Sequence, residues 1–106
     1  MKRFSVSFRA EHSLDLIGAY SMENFGSKRG EAYVDALLDR CRRIAMGNAP
    51  IHSCRDVFAP DLRSDLRFAR SGRHFIIFTE TPDEILIIDF IHQSADIGGR
   101  LEGLKA

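Results

Sequence analysis

The fold is decided by two stretches near the end of the sequence, Arg73-His-Phe-Ile-Ile-Phe-Thr79 and Glu84-Ile-Leu-Ile-Ile-Asp-Phe-Ile-His92. Both are rich in β-branched and aromatic residues, and the Pro82-Asp83 pair between them favours a tight turn, so together they predict a β-hairpin. Side chains alternate across a strand, and here both alternating sets are apolar. Such a sheet needs a cover on each of its two faces.

The alternation divides the apolar side chains of the hairpin into two sets. In the first strand it separates Phe75 and Ile77 from Ile76 and Phe78. In the second strand it separates Leu86, Ile88 and Phe90 from Ile85, Ile87 and Ile91. The pattern leaves open which set faces the rest of the chain.

Two amphipathic helices precede the hairpin. Residues 3–8 alternate weakly and predict a first strand, and Ser7 is suited to cap a helix over about residues 8–24. A second helix is predicted over about residues 28–46, after the stop and restart at Phe25-Gly26-Ser27. The buried stripe of the first helix is predicted to be Ala10, Leu14, Ile17 and Tyr20, and that of the second Tyr33, Leu37, Cys41, Ile44 and Ala45.

Residues 47–65 are rich in Gly, Asn, Pro, His, Ser and Asp and predict a long loop, followed by a strand over about residues 66–70 and a turn at Ser71-Gly72. The resulting order is β-α-α-β-β-β. We therefore predict one α+β domain over residues 1–106, with an antiparallel sheet and a helix hairpin packed on one face. Either the C-terminal tail and the long loop close the second face, or that face is left for a partner.

The composition limits the classes of function that the protein can have. Fifteen basic and fifteen acidic residues give zero net charge, so the charge balance does not force binding to nucleic acid. No apolar run reaches membrane-spanning length, and the chain opens into a strand rather than a signal peptide, so a cytoplasmic protein with reduced cysteines is expected. His52 and Cys54 are too close for a standard zinc half-site, and no nucleotide-binding motif is present, so neither a metal nor a cofactor is expected.

Several short motifs, in this order and spacing, resemble the ParE branch of the RelE/ParE toxin superfamily. They are Ser7-x-x-Ala10, Leu14-x-x-Ile17-x-x-Tyr20 and Phe25-Gly26 on the first helix; Ala32-Tyr33, Leu37 and Ile44-Ala45, then Pro50, on the second; and Leu66-Arg67, Gly72-Arg73-His74, Ile76-Ile77-Phe78, Ile91-His92 and Asp96-Ile97 after it. The chain departs from the family pattern at Ser13, where Asp is common, at Asp89, where a basic residue is usual, and in a longer loop before Leu66.

The resemblance implies two helices on one face of a small antiparallel sheet. It also implies a hetero-oligomer with a ParD-like antitoxin, whose helical segment lies in an apolar groove of the toxin, and inhibition of DNA gyrase. A helix laid into a groove needs an uncovered apolar face, which agrees with the hairpin pattern. Other branches of the superfamily cleave messenger RNA on the ribosome, and this activity is the alternative.

The residues themselves favour an inhibitor with no catalytic residue. Ribonuclease chemistry would need a base, an acid and fixed positive charge. His74 or His92 could move a proton, but the middle of the chain lacks lysine, and both tyrosines lie on the helices. Asp89 adds negative charge to the strand where a phosphate would bind. We expect an arginine of the Arg67, Arg70 and Arg73 cluster to pair with Asp89 or Asp96. The residues predicted to bind a partner or target are Arg67, Arg70, Arg73, His74, Leu86, Ile88, Phe90, His92 and Asp96.

Overall fold

The computed structural model describes residues 2–105 of the protein. In chain order its elements are β1 (Arg3–Val6), α1 (Phe8–Phe25), α2 (Ser27–Met46), β2 (His52–Ser53), α3 (Cys54–Val57), β3 (Arg67–Ser71), β4 (His74–Glu80), β5 (Glu84–His92), α4 (Ile97–Arg100) and a short 3-10 helix (Glu102–Leu104). The predicted α+β class and the helix hairpin are confirmed. The stretch predicted as a loop over residues 47–65 also contains the short elements β2 and α3.

The five strands form one sheet in the order β1-β5-β4-β3-β2. The β2–β3, β3–β4 and β4–β5 pairs are antiparallel, as the hairpin pattern predicted. β1 pairs with β5 in parallel, so the sheet as a whole is mixed. Antiparallel pairing is imposed by short hairpin connections, and the long connection between β1 and β5 carries no such restriction.

Helix α1 begins, and helix α2 ends, at a residue that capping chemistry favours. Ser7 caps α1, where its Oγ accepts a hydrogen bond from the Ala10 amide at 3.1 Å. α2 ends at Gly47, which takes the left-handed conformation with φ +76°. The predicted stripe of α2 packs into the core. In α1 the prediction for Tyr20 is wrong, since its side chain is 63% exposed.

One face of the sheet packs against the two helices. The buried residues of this helical face are Ala10, Leu37, Cys41, Ile44, Ala45, Ala69, Ile76, Phe78, Ile85, Ile87 and Phe90. The partly buried Leu14, Ile17 and Tyr33 extend it. Burial of this much aliphatic and aromatic surface is the main stabilising contribution to a domain of this size.

The second face of the sheet is covered from within the chain. Four apolar side chains of the middle segment and three of the C-terminal segment lie over it: Cys54, Phe58, Leu62, Leu66, Ile97, Leu101 and Leu104. The two segments are joined where the Arg63 amide donates to the Leu104 carbonyl at 3.0 Å. The expectation of an open second face is therefore wrong, and the alternative, closure by the loop and the tail, is confirmed. We call these two segments the loop–tail cover.

A β-bulge in β5 changes the predicted alternation. Phe78 pairs with Ile87 and Ile77 pairs with Asp89, so Ile88 is an extra residue in β5. As a result Phe90 joins the helical face, whereas Ile88 packs on the second face. Leu86, Ile88 and Phe90 therefore do not form one surface, and the prediction that they share a face is wrong.

Candidate functional site

A cleft of about 780 Å³ opens where the helices leave one end of the sheet uncovered. It lies between α1, the start of α2, the turn that joins β3 to β4, and the end of β5. The residues that line it are Ser13, Leu16, Ile17, Tyr20, Ser21, Phe25, Arg29, Tyr33, Gly72, Arg73, His74, Phe90, His92, Ser94 and Arg100. We refer to it as the α1 cleft.

One wall of the α1 cleft is apolar and exposed. Leu16 and Tyr20 are four residues apart and therefore share a face of α1, and Phe25 ends the same helix. More than half of each of these three side chains is exposed. Large apolar side chains grouped at a concave surface are typical of binding sites.

The opposite wall is polar and is organised by Tyr33, which reaches from α2 to the β3–β4 turn. The Arg73 amide donates a hydrogen bond to the Tyr33 hydroxyl at 3.0 Å, and that hydroxyl lies 2.6 Å from His74 Nδ1. Gly72 permits this approach, because a Cβ at its position would lie 2.9 Å from the Tyr33 hydroxyl oxygen. Its φ of +59° also suits glycine in the turn.

His92 lies beside His74, across the β4–β5 ladder, with the two ring centroids 5.0 Å apart. The Ser94 amide donates to His92 Nδ1 at 3.0 Å, and the Ser94 hydroxyl lies 2.7 Å from the same atom. Burial, and secondly the charge of His92, lower the pKa of His74 from its usual 6.5 to about 4. His74 is therefore neutral at neutral pH.

The rim of the α1 cleft is positively charged. Arg29, Arg73 and Arg100 are all exposed, and none of them forms an ion pair within residues 2–105. No aspartate or glutamate among the residues described by the structure lines the cleft. In a protein without net charge, this places a local excess of positive charge at the concave surface.

Asp89, the buried acidic residue of β5, is paired with side chains of α1 rather than with the arginine cluster. Arg9 Nε donates to one of its carboxylate oxygens at 2.9 Å, and the Ser13 hydroxyl donates to the other at 2.6 Å. Arg9 also donates to the Arg100 carbonyl, which links α1 to the C-terminal segment. The bulge in β5 places Asp89 on the helical face of the sheet, beside α1.

The expected ion pair between the arginine cluster and Asp89 or Asp96 is wrong. Arg70 instead donates to the Gln93 side chain at 2.6 Å and to the Gly72 carbonyl at 3.1 Å. Asp96 is occupied as the N-cap of α4, where it accepts from the Gly99 amide. The physical reason is that α1 supplies a nearer cation for the buried carboxylate.

The structure brings together four of the nine residues predicted to bind a partner: Arg73, His74, Phe90 and His92 line the α1 cleft. The other five lie outside it: Arg67 and Arg70 on β3, Leu86 and Ile88 on β5, and Asp96 at the start of α4. The other eleven lining residues were not in the predicted set, among them Leu16, Phe25, Arg29 and Arg100. For Leu16 a signal existed, since it precedes Tyr20 by one helical turn.

The structure offers little support for other chemistry. Within residues 2–105 no three His, Cys, Asp or Glu side chains are grouped so that they could hold a metal ion. Burial raises the pKa of both the Cys41 and the Cys54 thiol to about 12, so neither forms a thiolate at neutral pH. None of the helices described is both long and apolar enough to cross a bilayer.

The fold and the cleft define a class of small α+β proteins with a helix hairpin on a mixed sheet. Residues 5–97 match the model of the family described as ParE toxin of type II toxin-antitoxin system, parDE, and the chain belongs to this family. A search of curated proteins finds no match.

Solved structures share the fold at low sequence identity. A structure of the chromosomal ParDE toxin–antitoxin system from P. aeruginosa matches with a TM-score of 0.67 and 15% identity, covering 87% of this chain and 96% of that one. The YoeB dimer from Staphylococcus aureus gives 0.58 and 11%, covering 86% and 95%. A YafQ mutant from E. coli gives 0.56 and 10%, covering 89% and 96%. At these identities the likeness extends to the fold alone.

Proposed function

We propose that this protein is the toxin of a type II toxin–antitoxin pair, that it inhibits DNA gyrase by binding, and that a ParD-like antitoxin neutralises it. The proposal includes a single domain over residues 1–106 that acts in the cytoplasm. Membership of the ParE family and the fold shared with a ParDE structure support it. The α1 cleft supplies the chemical argument for binding rather than catalysis.

The observation that carries the proposal is that the α1 cleft holds hydrogen-bond donors but no free base. His92 Nδ1 accepts from the Ser94 amide, and His74 Nδ1 is occupied by the Tyr33 hydroxyl. No carboxylate of residues 2–105 lines the cleft to take their place. Attack by a 2′-hydroxyl needs a positioned base, so this arrangement favours a binding protein.

One observation favours the second candidate, a ribosome-dependent ribonuclease. Arg73, His74 and His92 lie in one cleft, and Tyr33, which the sequence placed on a helix, contacts His74. Asp89 is neutralised by Arg9 and does not oppose a phosphate. Two of the sequence arguments against ribonuclease activity are thereby weakened, and the two candidates have to be separated by assay.

Two assays on the purified protein separate them: supercoiling of relaxed plasmid by gyrase, and cleavage of message on programmed ribosomes. We expect inhibition of supercoiling and no cleavage, with His74→Ala or His92→Ala changing inhibition only a few-fold. A ribonuclease would instead lose about two to four orders of magnitude in cleavage rate when a true acid or base is removed. Arg42→Gln, at an exposed position of α2 outside the cleft, serves as the control.

The antitoxin is proposed to lie on the apolar wall of the α1 cleft, because the second face of the sheet is already covered. Leu16→Asp should weaken the complex by about 2–4 kcal/mol, since it places a charge in the buried centre of the interface. Leu86→Asp is the matched control, because Leu86 is also an exposed leucine but lies on β5 outside the cleft. If only Leu86→Asp weakens the complex, the antitoxin binds on the second face of the sheet instead. Kd values from titration calorimetry decide between them.

A further inference from the structure

We infer that the α1 cleft is a carboxylate-binding site for an acidic, apolar segment of a partner protein. His74 and His92 serve there as neutral donors through Nε2–H, with Arg73 as the counter-ion. The inference rests on the proposed function only in taking the partner to be a protein. It assigns the histidines a role in recognition that is independent of whether gyrase is the target.

The tautomer of His92 follows from its backbone contact. An amide N–H can only donate, so the Ser94 amide at 3.0 Å makes His92 Nδ1 an acceptor. A neutral imidazole carries one proton, which must then be on Nε2. His92 therefore presents a donor at its second nitrogen.

The tautomer of His74 follows from the hydrogen bonds of Tyr33. The Arg73 amide donates to the phenolic oxygen, which leaves the hydroxyl proton free to be donated to His74 Nδ1 across 2.6 Å. We assign this direction because the phenol is the stronger acid of the two groups and the imidazole the stronger base. His74 thus also carries its proton on Nε2.

Both Nε2 atoms are accessible from solvent. Neither has a hydrogen-bond partner in residues 2–105, yet no buried side-chain nitrogen or oxygen in this part of the chain lacks a partner. Each Nε2–H group must therefore contact solvent. His74 and His92 both line the cleft, so two neutral donors lie at one concave surface.

The residues around the two donors favour a ligand that carries an anionic group next to an apolar group. Arg29, Arg73 and Arg100 line the same cleft without an ion-pair partner in residues 2–105. Guanidinium groups bind planar carboxylates through paired hydrogen bonds. Charge complementarity therefore indicates an acidic ligand.

The apolar wall decides between a peptide and a nucleic acid. Beside the exposed aromatic rings of Tyr20 and Phe25, Leu16 and Ile17 contribute aliphatic surface to it. Aromatic rings can stack with nucleic-acid bases or pack against apolar peptide side chains, whereas aliphatic surface suits only the side chains of a peptide. The geometry thus points to a segment in which glutamate or aspartate alternates with large apolar residues.

The test uses the full chain and two capped helical peptides with leucine at helical spacing, one carrying glutamate and the other glutamine at the intervening positions. We expect the glutamate peptide to bind at least about tenfold more tightly, as for a charge-assisted contact. The difference should fall below about threefold in Arg73→Gln and in His92→Phe, and should persist in Arg42→Gln. Equal binding of the two peptides, or binding of neither, overturns the inference. So does a single-stranded oligonucleotide that binds more tightly than the glutamate peptide.

A second measurement tests the donors directly. Imidazole ¹⁵N shifts at neutral pH should show the proton of both histidines on Nε2, and the glutamate peptide should perturb these resonances. In Tyr33→Phe the His74 ring should lose its fixed tautomer while His92 keeps its own. A proton on Nδ1 in either ring of the unaltered protein overturns the donor assignment. Since neither measurement involves gyrase, a failure here is distinguishable from a failure of the supercoiling assay.

Discussion

The two faces of the sheet are covered in different ways, and the α1 cleft lies on the helical side. The helical face packs against α1 and α2, which have 18 and 20 residues. The loop–tail cover contains only short helices, the four-residue α3 and α4 and the 3-10 helix Glu102–Leu104, each flanked by irregular chain. Yet both sides bury their central side chains completely, as Leu37 on one side and Leu101 on the other demonstrate.

In this small fold, the concave surface forms where a long helix packs on a twisted sheet. A long helix is straight and cannot follow the twist of a sheet, so α1 separates from the end of β5 and the α1 cleft forms between them. The irregular segments of the loop–tail cover can bend with the sheet and pack closely on it. The open surface is therefore on the side with more regular structure, contrary to the expectation from the hairpin pattern.

The largest expected effect is the loss of stability when one buried leucine from each cover is truncated. Leu37→Ala should lower the free energy of unfolding by about 3–4 kcal/mol, because α2 cannot collapse into the cavity. Leu101→Ala should cost less, about 2 kcal/mol, because a short segment can move to fill the space. Urea denaturation of both variants measures the difference. Equal losses would mean that the loop–tail cover is as rigid as the helices.

A smaller effect concerns Arg9 of α1, which contacts Asp89 in the sheet and the Arg100 carbonyl in the loop–tail cover. Arg9→Met should cost about 2 kcal/mol, because it leaves a buried carboxylate without its counter-ion, although Ser13 still donates to it. Adding Asp89→Asn should restore more than half of this loss. A double-mutant cycle by urea denaturation measures the coupling. A loss below about 0.5 kcal/mol for Arg9→Met would show that hydrogen bonds alone satisfy the carboxylate.

The next effect is a pH dependence that originates at the α1 cleft. The pKa of His74 is about 4 in the folded protein against a usual 6.5, so between these values the unfolded chain binds a proton that the folded one does not. Stability contributed by neutral His74 is therefore complete above about pH 6.5 and is lost as the pH falls towards 4. The groups that face the ring are Tyr33 from α2 and His92 from β5.

The expected loss across this pH window is about 1–2 kcal/mol, reduced from the full shift because the ring is partly exposed to solvent. Thermal or urea unfolding between pH 4.5 and about 7 measures it. His74→Gln removes the titrating group, and its stability should change less over the same window. If the two proteins show the same pH profile, another group is responsible.

The smallest effect is expected at the surface of the loop–tail cover. Arg63 and Asp65 form an exposed ion pair with a 2.5 Å contact, and the pKa of Asp65 is lowered by the Arg63 hydrogen bond. Arg63→Gln should nevertheless change stability by less than about 0.5 kcal/mol, because exposed pairs are screened by water and salt. A larger loss in urea denaturation would mean that ion pairs, rather than buried leucines, attach this cover to the sheet.

Local patterns predicted much of the fold. The stripe of α2 and the cap at Ser7 follow from spacing and hydrogen-bonding capacity, both of which are set within a few residues. The alternation of β4 was also correct, since Ile76 and Phe78 face the helices. In β5 it failed, because the extra residue at Ile88 depends on the partner strand and has no local signature.

The candidate site was less predictable, because it is assembled from distant residues. Tyr33 and His74 are 41 positions apart and meet only through the packing of α2 against the β3–β4 turn. Arg100 reaches the cleft because the chain after β5 folds back along α1. The sequence offered the covered second face only as one of two alternatives for a similar reason, since α3 and α4 are too short to show periodicity.

The contact between Gly72 and Tyr33 has a consequence for how such a protein can change during evolution. Any side chain at Gly72 would displace the phenol, and Tyr33→Phe would remove its hydroxyl. Either change releases His74 Nδ1, so the ring can carry its proton there and present a lone pair at Nε2. A donor then becomes a proton acceptor in a cleft that already contains Arg73 and His92. One substitution in the polar wall thus separates an anion receptor from a site with a general base, although His74 itself is unchanged.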